Sequence, residues 1–189
     1  RVSQPGTARG AVTAGALVAR NRWPSQAGEQ RADTEIGALA SFSSPGPTRD
    51  GRSKPDLVTG GHVVLGAWSI GSGTGSGIAG VPARPDLVAP DGVHVASRGT
   101  SFSAPQVSGA VALLFERNPT LTGEQVRAAL AQSARSDAFT GDVPNDQWGF
   151  GKLDVGAALA QVPPLLRTPT PSATPTSTAT PTATRTPTP

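Results

Sequence analysis

The sequence contains no cysteine and no methionine, and aromatic residues make up 4 % of its 189 residues. Without cysteine, the chain has no disulfide, no thiol nucleophile and no cysteine metal cluster. No apolar run reaches the ~20 residues that a transmembrane helix requires, which excludes a membrane-spanning helix. The length matches one folded unit, and the hydrophobic content of 36 % supplies a single modest core.

The body of the chain also lacks an excess of positive or negative charge. The formal net charge is +3, but two of the basic residues, Arg167 and Arg185, lie in the C-terminal stretch. The remainder carries 14 basic and 13 acidic residues and has no basic cluster with interleaved aromatic residues. This balance argues against a nucleic-acid partner.

The C-terminal 27 residues differ in composition from the rest of the chain. Residues 163–189 contain 8 of the 19 prolines, 10 threonines and no acidic residue. Such a stretch buries no apolar surface, so we expect a disordered linker or O-glycosylated stalk after a folded part over residues 1–162. A stalk of this kind would join the folded part to a cell wall or to a further domain. It favours an extracellular or cell-surface location.

Two helices are indicated by their N-terminal residues. The sequence Thr-Gly-Glu-Gln at 122–125 is a capping box, which predicts a helix from there to about Arg135. Asp154 is the expected N-cap of a last short helix over 155–161.

A longer helix is predicted over residues 103–117. Pro105 falls in its first turn, where a missing N–H removes no helical hydrogen bond, and the pair at 118–119 (Asn-Pro) ends it. Its apolar residues cover most of the circumference, so we expect it to be central and buried.

Short apolar runs precede these helices and predict strands. The strand candidates are residues 11–18, 57–58, 62–65, 86–88 and 93–95. A glycine-rich loop is expected over 71–80. The segment at 53–58 returns in similar form at 83–88, which is too few copies for a repeat architecture.

The segment before the long helix is the most specific part of the sequence. Residues 99–109 are Gly-Thr-Ser-Phe-Ser-Ala-Pro-Gln-Val-Ser-Gly. This segment resembles the active-site serine motif of the subtilisin-like serine proteases (subtilases, peptidase family S8), in which Gly-Thr-Ser, Pro, Val and Gly stand at set spacings. Residues 42–56, 84–90 and 149–154 resemble other parts of that family in the same order. The resemblance covers about residues 11–161, the C-terminal part of such a catalytic domain.

The resemblance implies a three-layer α/β fold, with a mostly parallel sheet flanked by helices, and hydrolysis of protein or peptide substrates through an acyl-enzyme. Ser101 would be the nucleophile, and its own amide would be one oxyanion donor. Gly99 would permit close approach of the substrate, and Pro105 would fix the start of the helix. A helix N-terminus suits this role, since its free N–H groups and its dipole favour negative charge. Without the motif, Ser101 would be interpreted as a helix N-cap.

The family's catalytic aspartate and histidine have no counterpart in this sequence. Asp33 is followed by Thr-Glu and not by the family's Ser/Thr-Gly. His62 and His94 are each followed by valine in apolar runs, and we interpret both as ordinary strand histidines. Asn21 follows the first strand, whereas the family's oxyanion asparagine precedes it. The chain begins with Arg1, so we expect an N-terminal part of the same domain to supply these groups and this chain alone to be inactive.

Two other functions remain open from the sequence. One is a non-catalytic surface or adhesion module that kept the fold and lost the catalytic residues. The other is a serine-carboxyl peptidase, whose serine motif is similar but whose partners are Glu and Asp. Calcium is often bound in the subtilisin-like family, but the sequence does not identify any ligands, so no metal or other cofactor is assigned.

Overall fold

The computed structural model of the chain describes residues 1–68 and 84–165. The expected glycine-rich loop at 71–80 and most of the Thr/Pro stretch lie outside the described residues. The elements are β1 (Ala14–Val18), β2 (Arg22–Ser25), β3 (Gly28–Arg31), β4 (Leu57–Ala67), β5 (His94–Arg98), α1 (Thr100–Arg117), α2 (Gly123–Ser133) and α3 (Val155–Gln161).

Three strands form one sheet in the order β1-β4-β5, and β2 pairs with β3 in a separate antiparallel hairpin. β1 and β4 are parallel, whereas β4 and β5 are antiparallel. Val18, at the end of β1, pairs with His62 in β4, and His62 pairs with Arg98 at the end of β5. The carboxyl ends of β1 and β5 therefore meet at the middle of β4, and α1 begins there.

The strand β4 joins two segments that the sequence predicts separately. Leu57 and Val58 at its start are almost fully buried, as in a strand covered on both faces. Gly60 and Gly61 separate them from the second apolar run, and glycine inside a strand marks a place where another backbone approaches closely. The approaching backbone is the start of α1, since the Gly99 N–H donates to the Gly61 carbonyl (2.9 Å).

The predicted strand at 86–88 is wrong. These residues form a turn that contacts β5 through one antiparallel bridge, Val88 to Val95. The prolyl, aspartyl and glycyl residues at 90–92 turn the chain before a strand can extend.

The core lies where α1 packs on β4 and where α2 and α3 pack together beside α1 and Leu57. Its buried members are Leu57, Val107, Ala110, Leu114, Val126, Ala129, Leu130, Ala158 and Val162. The predicted α/β class is confirmed. The sheet is mixed within the described residues, because β5 runs against the parallel pair.

The long helix α1 is buried along one stripe only. Ser103, Val107, Ala110 and Leu114 are buried, but Leu113 remains 43 % exposed and Phe115 38 %. The expectation of a helix buried all round is therefore not met, because the described part of the chain covers it from one side. No helix in the described part is long and apolar enough to cross a membrane.

Both predicted helix caps are present. The Thr122 hydroxyl accepts from the Gln125 N–H (3.2 Å), and the Gln125 side chain accepts from the Thr122 N–H (2.8 Å). The Asp154 carboxylate accepts from the Ala157 N–H (2.9 Å) at the start of α3. The capping residues therefore satisfy free N–H groups in the first turns of α2 and α3 through contacts within three residues.

Replacing Thr122 with alanine is expected to lower the free energy of unfolding by about 1 kcal/mol, because the Gln125 N–H loses its acceptor. Urea unfolding followed by circular dichroism measures the change. Thr122→Ser keeps the hydroxyl and should stay close to the parent protein. Equal losses in the two variants would contradict the capping role.

Candidate active site

Ser101 lies in the first turn of α1 and is exposed to solvent. The helix begins at Thr100, and its N-cap is Gly99, whose φ of 148° is a conformation that glycine adopts most easily. Ser101 is thus inside the helix, and the interpretation of this serine as an N-cap is wrong.

The N-terminus of α1 carries unused donors. No side chain caps it, and its first turn holds no acidic residue. The Phe102 N–H donates to the Gly99 carbonyl (3.0 Å), whereas no acceptor among the described residues binds the Ser101 N–H. A free amide beside the Ser101 hydroxyl, at the positive end of a helix dipole, suits a developing oxyanion.

Strand β4 holds the start of α1 in place on both sides of Ser101. Before the serine, the Gly99 N–H donates to the Gly61 carbonyl (2.9 Å). After it, the fully buried Ser103 hydroxyl lies 3.3 Å from the Thr59 carbonyl. The serine therefore lies between two points that are fixed to the same strand.

Gln106 adds a third attachment, which sequence reasoning missed. Its side-chain amide donates to the carbonyls of Gly60 (2.6 Å) and Phe102 (2.9 Å), and its side-chain oxygen accepts from the Thr59 hydroxyl (2.7 Å). The one signal in the sequence is a long polar residue one turn into an otherwise apolar helix. The pairing partner lies 46 residues earlier, so local sequence does not reveal it.

Gly61 is expected to be intolerant of a side chain. A Cβ there would lie 2.6 Å from the Ser103 hydroxyl oxygen and 2.6 Å from the Ala16 Cβ, so the start of α1 would have to move. A displacement of about 1 Å at a catalytic group costs on the order of 100-fold in rate. We expect Gly61→Ala in the complete gene product to lower kcat/KM for peptide hydrolysis by about that factor.

Gly66→Ala is the matched control, because a Cβ at Gly66, in the same strand, meets no heavy atom of a described residue within 4 Å. Its kcat/KM should remain within about twofold of the parent, as expected for a site with ordinary van der Waals room. Circular dichroism checks that both variants remain folded. Equal activity in folded Gly61→Ala and Gly66→Ala proteins would contradict the positioning role of β4.

The two histidines lie in or beside the sheet, as expected. His62 is buried in β4, and its ring centroid lies 6.0 Å from that of Phe42. Burial lowers the pKa of His62, and the nearby positive charge of Arg98 lowers it further. Its Nδ1 atom has no hydrogen-bond partner among the described residues. His62 is therefore a neutral imidazole near neutral pH.

His94 is exposed at the start of β5, where its Nδ1 lies 2.7 Å from an Asp91 carboxylate oxygen. The Asp91 pKa is lowered first by the Val93 backbone N–H and then by His94. This pair lies at the start of β5, whereas Ser101 follows the end of that strand, and the five residues of β5 alone span about 13 Å. His94 therefore does not serve Ser101 as a base.

The other polar residues weighed from the sequence also lie apart from the nucleophile. The Asn21 side chain donates to the Thr34 carbonyl (3.0 Å), and Asp33 is exposed in the neighbouring loop. No hydrogen bond within residues 1–68 and 84–165 joins Ser101 to a carboxylate or an imidazole. These residues also contain no cluster of three or more metal-ligating side chains, so no step is assigned to calcium.

Comparisons with known proteins agree with this geometry. The sequence profile of the Subtilase family matches residues 1–151. Serine protease AprX of Bacillus subtilis is 27 % identical over 144 residues, which are 76 % of this chain and 28 % of that protein. An uncharacterized protein of Aquifex aeolicus is 30 % identical over 136 residues, or 72 % of this chain and 55 % of its own length.

Solved structures show the same relationship. Fervidolysin from Fervidobacterium pennivorans, a keratinolytic enzyme related to subtilisin, has a TM-score of 0.58 at 25 % identity over 85 % of this chain and 20 % of its own. The CspB protease of Clostridium perfringens shares the fold, with a TM-score of 0.58 over 85 % of this chain and 28 % of its own. The chain thus spans about half or less of each of these proteins.

Proposed function

Because the chain belongs to the subtilase family of serine proteases, we propose that it forms the C-terminal part of a serine endopeptidase domain with Ser101 as its nucleophile. The observation that carries this proposal is the position of Ser101. Its side chain is exposed in the first turn of α1, beside an uncapped helix N-terminus and inside the family's serine motif.

The proposed reaction is acyl transfer. The Ser101 hydroxyl oxygen attacks the peptide carbonyl carbon while a general base takes its proton, and the Ser101 N–H stabilises the oxyanion. The C–N bond then breaks, and the amine leaves with that proton, so an ester on Ser101 remains. Water hydrolyses the ester and restores the hydroxyl.

The base would come from an upstream part of the same domain. The Ser101 hydroxyl has no base within the described residues, and the chain spans 28 % of AprX. The exposed apolar side chains on α1, Leu113 and Phe115, support a covering layer from that part. We infer that the folded part over residues 1–162 is active only when it is joined to this segment.

The remaining assignments rest on composition. The Thr/Pro-rich residues 163–189 would form a linker or stalk after the folded part. Such a stalk supports an extracellular or cell-surface protease that acts on protein or peptide substrates.

A fluorophosphonate probe tests the nucleophile, since it forms a stable ester with an activated serine. We expect the complete gene product to be labelled at Ser101 and Ser101→Ala not to be labelled. Ser108→Ala is the control, because Ser108 is also an exposed serine on α1 and donates to the Ala104 carbonyl.

Two outcomes would favour the other functions. Absence of labelling in the folded, complete gene product would overturn the protease proposal and favour the adhesion module. Labelling at Ser101 that persists after substitution of an upstream histidine would favour the serine-carboxyl type, which uses no histidine.

A further inference from the structure

A cavity lies beside β5, the strand that leads to Ser101. Its volume is about 460 Å³, and its lining includes Trp23, Arg31, Arg84 and the three residues 96–98 at the end of β5. Arg98 is three positions before Ser101, so their Cα atoms lie within about 11 Å of each other. A peptide that reaches the serine would thus come close to this cavity.

The cavity carries more positive charge than the described chain neutralises. Arg84 is paired with the Asp86 carboxylate through two hydrogen bonds of 2.9 and 2.6 Å. Arg31 and Arg98 have no ion-pair partner within the described ranges, and all 13 acidic residues of the sequence lie in those ranges. Two guanidinium groups are therefore available to an anion.

The β2–β3 hairpin adds to this excess. Arg31 stands directly opposite Arg22 across the two strands, and like charges in facing positions destabilise a hairpin. An anion bound at Arg31 would relieve this repulsion.

The lining of the cavity includes one carboxylate, that of Asp86, and Arg84 already pairs with it. His62 also lines the cavity and is 5 % exposed. Its pKa is lowered by burial and by Arg98, and its buried Nδ1 has no partner in the described part of the chain. The lining therefore offers an unused polar atom of His62, and its one carboxylate, Asp86, is neutralised by Arg84.

We propose that this cavity binds the carboxylate of an acidic side chain in the peptide substrate and so gives the protease a preference for Asp or Glu near the cleaved bond. The planar guanidinium groups of Arg98 and Arg31 match a carboxylate in shape and charge. The Trp23 ring provides an apolar wall for the side-chain methylenes. The proposal rests on the proposed function, because it assumes that a peptide chain reaches Ser101.

Binding is measured without hydrolysis in the complete gene product carrying Ser101→Ala. The probes are fluorescently labelled, C-terminally amidated peptides that differ at one residue, Glu or Gln, and fluorescence anisotropy gives their Kd. We expect the Glu peptide to bind at least about tenfold more tightly, since a charge-assisted hydrogen bond is worth that factor. Adding Arg98→Gln should reduce the difference to less than about threefold.

Arg49→Gln is the matched control, because Arg49 is an exposed arginine outside this cavity with no ion pair to a described residue. It should leave the Glu preference unchanged. Equal binding of the Glu and Gln peptides would overturn the proposal, and so would an equal loss in Arg49→Gln and Arg98→Gln.

A third peptide separates two sources of the carboxylate. If the Gln peptide with a free C-terminal carboxylate binds as tightly as the amidated Glu peptide, the cavity recognises a chain end and the proposal is wrong. Fluorophosphonate labelling of the parent protein tests Ser101 separately. If the protein is labelled but shows no preference for Glu, this inference is wrong and the proposed protease function still stands.

Discussion

Ser101→Ala is expected to lower kcat for peptide hydrolysis by the complete gene product at least about 10,000-fold, while KM changes little. Without the hydroxyl no acyl-enzyme forms, and the binding groups and the oxyanion donor support only a small residual rate. The change removes one oxygen atom from an exposed position, so the fold should be preserved. Steady-state kinetics on a chromogenic peptide and circular dichroism measure the two effects.

Ser108→Ala is the control for this prediction, and its kcat should stay within about twofold of the parent, as for an ordinary surface substitution. A contaminating protease would show as residual hydrolysis that separates from the variant on a further purification column. Undiminished, probe-sensitive hydrolysis by Ser101→Ala would mean that another residue is the nucleophile.

The features that sequence predicts well in this chain are those whose causes are local. The capping box at Thr122 and the N-cap at Asp154 act over three residues, and both are present. The serine motif is likewise contiguous, but α1 begins at Thr100, three residues before the predicted start, so Ser101 lies inside its first turn. Local hydrogen bonding and backbone preference fix where these elements begin, while packing against the core supplies most of their stability.

The repeated segment shows that the same short sequence can adopt two different structures. Residues 53–58 and 83–88 both contain Pro-Asp-Leu-Val, yet the first copy begins the buried strand β4, whereas residues 85–88 of the second form a turn that ends in one isolated bridge. The first copy continues with Thr-Gly-Gly, which admits the backbone of α1. The second continues with Ala-Pro-Asp-Gly, which turns the chain. The residues after each copy, and the segments that pack on it, therefore decide which structure it adopts.

Long-range contacts explain the other features that the sequence did not predict. The attachment of Gln106 to β4 joins residues 46 positions apart. The cavity at Arg98 is lined by residues of both the β2–β3 hairpin and β5. The hairpin has few apolar residues, so its sequence does not predict strands. The side chains that hold the nucleophile and line the cavity are therefore found from the structure.

The two copies also differ in their ion pairs, and this difference yields the largest stability effect we expect. In the first copy the Lys54 ammonium is 2.5 Å from the Asp56 carboxylate and also donates to the Ala11 carbonyl (2.8 Å). The two side chains are 3 % and 15 % exposed. The same carboxylate accepts from the Thr13 N–H (2.6 Å), so the pair links the start of β4 to the segment before β1.

Lys54→Met is expected to lower the free energy of unfolding by about 3 kcal/mol, because it leaves the buried Asp56 carboxylate with only the more distant Arg127 guanidinium (3.4 Å) as a positive partner. Adding Asp56→Asn should cost much less in this background than in the parent, since the two residues act as one unit. Urea unfolding followed by circular dichroism gives each free energy.

Arg84→Met tests the same chemical change in the second copy, where Arg84 and Asp86 are 61 % and 33 % exposed. Water already solvates that pair, so the loss should stay below about 1 kcal/mol. The two substitutions would then differ in their effect on stability because one salt bridge is buried and the other is exposed. Similar losses in Lys54→Met and Arg84→Met would show that the Lys54 pair is as well solvated as the exposed one.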